Sequence, residues 1–184
     1  MTTLQEAIAK HESAVIMTEL PTDVYLDKAT DVVKFFVGQG FSGVYVSFQR
    51  PFKNLSSFFK KKAIKNDRIY VVDAASACSG ADAHEAKTCV PVSEEVEIDE
   101  LVRAIYTSLD KLDGKKFIFV DSLTTMTLHK PLSDTMRFSD FLIRTVRKGE
   151  VKEVVLVFNV AADLTHKKFI RDIAMQVDEV VKVT

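Results

Sequence analysis

Residues 116 to 122, KFIFVDS, place an acid and a hydroxyl, Asp121 and Ser122, at the carboxyl end of an apolar strand. An aspartate in that position can orient a magnesium ion through its bound waters, one half of a nucleotide site. The other half is a glycine loop of the GxxxxGK[ST] type, whose backbone N–H groups surround the phosphates. No such loop precedes KFIFVDS. A strand-end aspartate is also a common turn or helix-capping residue, so position alone leaves both roles open for Asp121.

Three further groupings could do chemistry. Cys78, His84 and Cys89 lie close in sequence and carry soft ligands suited to zinc, with Glu85 or Asp82 as a fourth. Their C-x5-H-x4-C spacing lacks a tight CxxC knuckle, and ordinary thiols are the favoured reading. Residues 50 to 68 interleave Arg50, Lys53, Lys60, Lys61, Lys62, Lys65 and Arg68 with Phe52, Leu55, Phe58 and Phe59. That mixture suits nucleic acid, yet on a helix Phe52, Leu55 and Phe59 share one face, and a core helix with a solvated basic side explains the pattern. A Ser-His-Asp hydrolase finds no GxSxG elbow, and His11, His84, His129 and His166 have no visible partners; His129 and Lys130 read as loop residues beyond the site strand. A phosphoacceptor receiver is disfavoured because the first strand ends in Thr18-Glu19 and the fifth in Asn159, without the acid pair and lysine it needs.

The elements that must position these residues follow from composition and pattern. The chain has 184 residues, 47% of them hydrophobic, which is enough for one two-sided core and sets the expectation of a single domain over 1–184. Lys and Arg number 25 against 26 Asp and Glu, so the net charge of -1 attracts neither nucleic acid nor an acidic membrane. No apolar run is long enough to cross a bilayer and no secretory leader is legible, so the expected setting is cytoplasmic, with the two cysteines reduced and no membrane insertion.

Six apolar runs rich in Val, Ile and Phe read as strands: 14–18, 43–48, 68–73, 116–121, 153–158 and 179–183. Several are apolar on successive residues, which suits a parallel sheet covered on both faces. Helical spacing falls between them. Val32, Val33, Phe35 and Phe36 lie ahead of Gly38, and Ile98, Leu101, Val102, Ile105 and Leu109 form a second stripe. Ser133 is placed to cap a third, holding Met136, Phe138, Phe141, Leu142 and Val146 up to Gly149. Alternation of strand and helix predicts an α/β three-layer sandwich with a mainly parallel central sheet. One long loop is expected over about 74–97, at a strand's carboxyl end where open α/β sheets place their sites.

The order GVYVSF, RIYVVD, KFIFVDSLTTM, helix, EVVLVF, DEVVKVT resembles the KaiC-like branch of the RecA ATPase superfamily, abundant in archaea, over roughly residues 13 to 184. DSLT at 121–124 is the most specific piece. The resemblance implies a RecA-like domain with a phosphate loop after the first strand. There the chain reads ELPTDVYLDKAT, without glycine and with Glu19, Asp23 and Asp27 to repel a triphosphate. KATDVVKFF is similar to the family's KTTLALQFL, which would put Lys28 at the phosphate lysine and Ala29 where a metal-binding hydroxyl belongs. A solvated lysine in an amphipathic helix is the reading preferred for Lys28. Where the family tends to carry two glutamates, this chain has Gln49 and Arg50. Gln49 could orient a water and Arg50 could bind an anion or a neighbouring subunit, although a polar strand end leading into Pro51 is favoured.

With so many cooperating parts missing, the expectation is a pseudo-ATPase: a non-catalytic regulatory or scaffold module working through a protein partner or a homo-oligomer with RecA-type contacts, without a cofactor. The alternative is an ATPase or nucleotide sensor with an atypical phosphate loop, in which Lys28, Gln49, Asp121 and Ser122 bind nucleotide and Asp121 holds magnesium. A third reading, a nucleic-acid accessory protein, would work through Arg50 and Lys60 to Lys62 and lose binding steeply with salt.

Overall fold

A computed structural model describes residues 3–80 and 86–184. Its strands are β1 (Ala14–Leu20), β2 (Ser42–Ser47), β3 (Ile69–Asp73), β4 (Cys89–Pro91), β5 (Lys116–Asp121), β6 (Val154–Ala161) and β7 (Glu179–Lys182). They form one sheet in the order β4-β3-β2-β5-β6-β1-β7, and every pairing is parallel. The central strands β2 and β6 are buried along their whole length, which is why their sequences run apolar without alternation.

Parallel strands need crossovers, and the helices supply them on both faces: α1 (Leu4–Ala9), α2 (Tyr25–Gly38), α3 (Phe52–Lys61), α4 (Ala74–Ser79), α5 (Ile98–Leu109), α6 (Leu123–His129), α7 (Leu132–Lys148) and α8 (Lys168–Ala174). Buried side chains of α1, α2 and α3 pack with Tyr45, Phe117, Phe119 and Val157 on one side of the sheet. Those of α5 to α8 pack with Val44, Ile118, Val120 and Leu156 on the other. This is a single three-layer α/β sandwich, as the strand and helix pattern predicts. Phe36, Phe117 and Phe119 are fully buried, each contributing roughly 1.5–3 kcal/mol by leaving water. The ring of Phe117 lies against the bare backbone of Gly43, where an added Cβ would come within 2.5 Å of it.

Two expectations are corrected here. Residues 74–97 are not one irregular loop. Asp73 accepts the Ser76 N–H at 3.0 Å and starts α4, which ends at left-handed Gly80, and Cys89–Pro91 add an edge strand beside β3. Ser133 does not cap its helix. Pro131, with φ at -53°, precedes the first turn, so Ser133 falls inside α7, which ends as expected at left-handed Gly149.

Candidate functional site

Strand register brings one polar residue from each of five neighbouring strands to the same level at the carboxyl end of the sheet. Thr18 of β1 is opposite Asn159 of β6, and Ser47 of β2 is opposite both Asp121 of β5 and Asp73 of β3. Pairing of β5 with β6 runs up to Val120 and Phe158, so Asp121 and Asn159 follow as the next level. All five are buried.

Most of this row is occupied by bonds within the molecule. Asp121 is fully buried and accepts two phenols: Tyr25 Oη donates to Oδ1 at 2.7 Å and Tyr45 Oη donates to Oδ2. Tyr25 comes from the first turn of α2 and Tyr45 from the middle of β2. Thr18 donates its hydroxyl to Asn159 Oδ1. Ser47 Oγ bonds both the carbonyl and the N–H of Arg50, at 2.7 and 3.3 Å. Asp73 accepts the Phe52 N–H at 2.9 Å and the Ser76 hydroxyl at 2.7 Å, tying the start of α3 to that of α4. Ser122 caps α6, accepting the Thr125 N–H at 3.1 Å, and the Asp121–Ser122 peptide is cis. One buried donor at this end, Arg50 Nε, has no partner among the described residues, while the Asn159 amide lies beside the Asp121 carboxyl.

Burial pushes the Asp121 carboxyl above the ordinary carboxylate range, opposed by the hydrogen bonds from Tyr45 and Tyr25, by the charge of Arg50 and by the Asn159 amide. Burial and the neighbouring Asp121 together hold Tyr25 and Tyr45 well above the usual phenol range. The arrangement is a fully buried carboxyl group bonded by two phenols.

The other sequence candidates lie apart from it. Only Pro21 to Val24, including a short 3-10 turn, separate β1 from α2. Lys28 turns to the chain's end and donates to the Thr184 carbonyl at 2.9 Å. Gln49 is exposed, and Arg50 is half-buried with its guanidinium 5.9 Å from the Phe58 ring centre. Glu19 continues β1 and meets Lys182 at 3.7 Å. His129 is the last residue of α6 rather than part of a loop, and Lys130 donates to the Glu95 carbonyl at 2.5 Å. His84, Asp82 and Glu85 lie outside the described residues; Cys78 is half-buried and Cys89 buried, and among the described residues no three His, Cys, Asp or Glu gather as metal ligands.

Tyr25 and Tyr45 were not singled out in the sequence. A usable signal was present, because a phenol inside a strand covered on both faces needs a buried acceptor, and the strand-end Asp121 is a suitable one.

No family model and no curated protein matches the chain. Solved structures do. Over 95% of this chain and 78% of the other, it is similar to the uncharacterized protein PH0321 of Pyrococcus horikoshii, crystallised with an unknown peptide (TM-score 0.70, 12% identity). Over 94% and 73% it is similar to the KaiC-like protein PH0186 of the same archaeon (TM-score 0.62, 15% identity). The chain has a KaiC-like RecA fold. The flagellar accessory protein FlaH of Methanocaldococcus jannaschii also shares that fold, over 97% of this chain and 75% of its own (TM-score 0.58, 13% identity). Among the described residues of this KaiC-like fold, no helix is long and apolar enough to cross a membrane.

Proposed function

We propose that this chain is a non-catalytic module with a KaiC-like fold, a regulatory or scaffold subunit of an archaeal cytoplasmic system that works through protein contacts. The observation that carries the reading is the enclosure of Asp121. The carboxyl is fully buried and its oxygens take hydrogen bonds from Tyr25 and Tyr45, so a magnesium ion would reach it only if this enclosure opened. Tyr25 belongs to the helix that would follow a phosphate loop, and four residues between β1 and α2 are few for a backbone cradle. The peptide held by the structurally similar PH0321 is in keeping with a role in protein contacts.

A second reading, a nucleotide sensor or ATPase with an atypical loop, draws on Arg50 Nε, a buried donor without a partner among the described residues at the carboxyl end of the sheet. Calorimetric titration with ATP, with and without magnesium, separates the two. The non-catalytic reading expects no binding up to millimolar nucleotide. Micromolar, magnesium-dependent binding that is lost in a folded Asp121→Asn variant would replace it with the second.

A further inference from the structure

We infer that this chain pairs edge to edge with a second copy of itself, β7 of each copy lying antiparallel to β7 of the other about a two-fold axis at Val180. The inference rests on the protein-contact reading above and names the partner.

The two edges of the sheet are finished differently. β4 is three residues long and ends in Pro91, so it offers little backbone to a further strand. β7 contains no proline, and among the described residues it pairs with β1 alone. Parallel strands bond through alternate residues. Met17 is level with Val180 and Glu19 with Lys182, and the Val183 N–H donates to the Glu19 carbonyl at 3.0 Å, so Glu179, Val181 and Val183 turn their backbone groups to β1. Val180 and Lys182 turn theirs to the open side, where an unpaired row of N–H and C=O groups is a template for another strand.

The side chains make this edge fit itself. Val181 is buried in the layer of α1 to α3, so by alternation Val180 and Lys182 face the layer of α5 to α8, as does position 178. On that side Val180 is 38% exposed, and Met175, at the end of α8, is 86% exposed. Facing residues of an antiparallel pair lie on one side of the sheet, so an axis at Val180 sets Val180 against Val180 and each Lys182 against the other copy's Asp178. The run Asp178-Glu179-Val180-Val181-Lys182 thus meets its own reverse with an apolar centre and opposite charges on either side. Asp178 takes the Val15 N–H at 2.8 Å and Arg147 at 2.6 Å, and a carboxylate has lone pairs for a further donor. Lys182 is available to be that donor, since its own contact with Glu19 is a long 3.7 Å. On the other face Glu179 comes opposite Val181, and Lys10 already neutralises it at 2.6 Å. Contact between like patches is isologous and closes at two copies.

Sedimentation equilibrium of the full chain tests this, with Val180→Lys, Val180→Glu and Lys182→Glu variants, each checked for folding by circular dichroism. The wild-type average mass should rise with concentration from 20.6 kDa and level off at twice that value. At the axis residue 180 meets itself, so Val180→Lys alone and Val180→Glu alone each set like charges face to face and should weaken association by about tenfold or more. An equimolar mixture of the two should restore it, because lysine then meets glutamate. Lys182→Glu, which changes an exposed side chain and keeps the test open if the residue 180 variants do not fold, should weaken association roughly threefold or more by facing Asp178. A wild type at monomer mass throughout, a mass that climbs past the dimer, a mixture that stays dissociated, or folded variants that associate like the wild type overturns the inference. A dimer that also binds magnesium-ATP upholds it and removes only the non-catalytic reading.

Discussion

At the carboxyl end of the sheet, Thr18, Ser47, Asp73 and Asp121 are buried and each is tied to a partner in its own chain; along α3, Lys53, Lys60 and Lys61 are exposed and have no ion-pair partner among the described residues. Burial makes the difference meaningful. A polar group inside the protein costs about 1–3 kcal/mol if left unbonded, so the bonds of the polar row are requirements of folding. An exposed lysine incurs no such cost, so Lys53, Lys60 and Lys61 can stand in water without a partner. The carboxyl end of the sheet is thus accounted for largely by bonds within the chain.

The contrast predicts effects of descending size. Asp121→Ala strands two buried phenols and should lower the unfolding free energy by about 2–4 kcal/mol in urea denaturation, the loss expected for two orphaned donors. A change under about 0.5 kcal/mol would break the comparison at its base. Tyr45→Phe and Tyr25→Phe should each cost about 1–2 kcal/mol, and the double variant should depart from the sum because both hydroxyls share one carboxylate.

The third effect concerns pH. Because the folded Asp121 carboxyl titrates above its ordinary value of 3.8, the folded state holds this proton more tightly than the unfolded chain. Its contribution to stability is complete below that ordinary value and declines as pH rises through the raised one. The stability of the wild type relative to Asp121→Asn should therefore fall across that interval, and a difference curve that rises there would contradict burial as the dominant cause. The smallest effect sharpens the other side of the comparison: Lys60→Glu and Lys61→Glu should leave unfolding free energy within about 0.5 kcal/mol of wild type.

How much was legible follows the same division. The Val-, Ile- and Phe-rich runs announced six of the seven strands, because burial on both faces leaves a compositional mark. β4 left none, being three residues ending in Pro91 at the sheet edge. Ser133 looked like a cap, but Pro131 set the helix start two residues earlier. At the site, Asp121 stood out from its strand-end position, whereas its partners are 96 and 76 positions away in sequence and only parallel pairing and the start of α2 bring them together. Lys28, read as a solvated lysine of an amphipathic helix, is on the exposed side of α2, and it is Tyr25, three positions earlier, that reaches the aspartate.

The central claim, that the Asp121 carboxylate holds the fold together and does not hold a nucleotide, is tested most directly by the urea midpoint of the wild-type protein with and without millimolar magnesium-ATP. A ligand present at a thousand times its dissociation constant stabilises the native state by about 4 kcal/mol. The account predicts no magnesium-dependent shift. A shift of that order, requiring both ATP and magnesium, would mean that the phenols give way and that this end of the sheet is a nucleotide site.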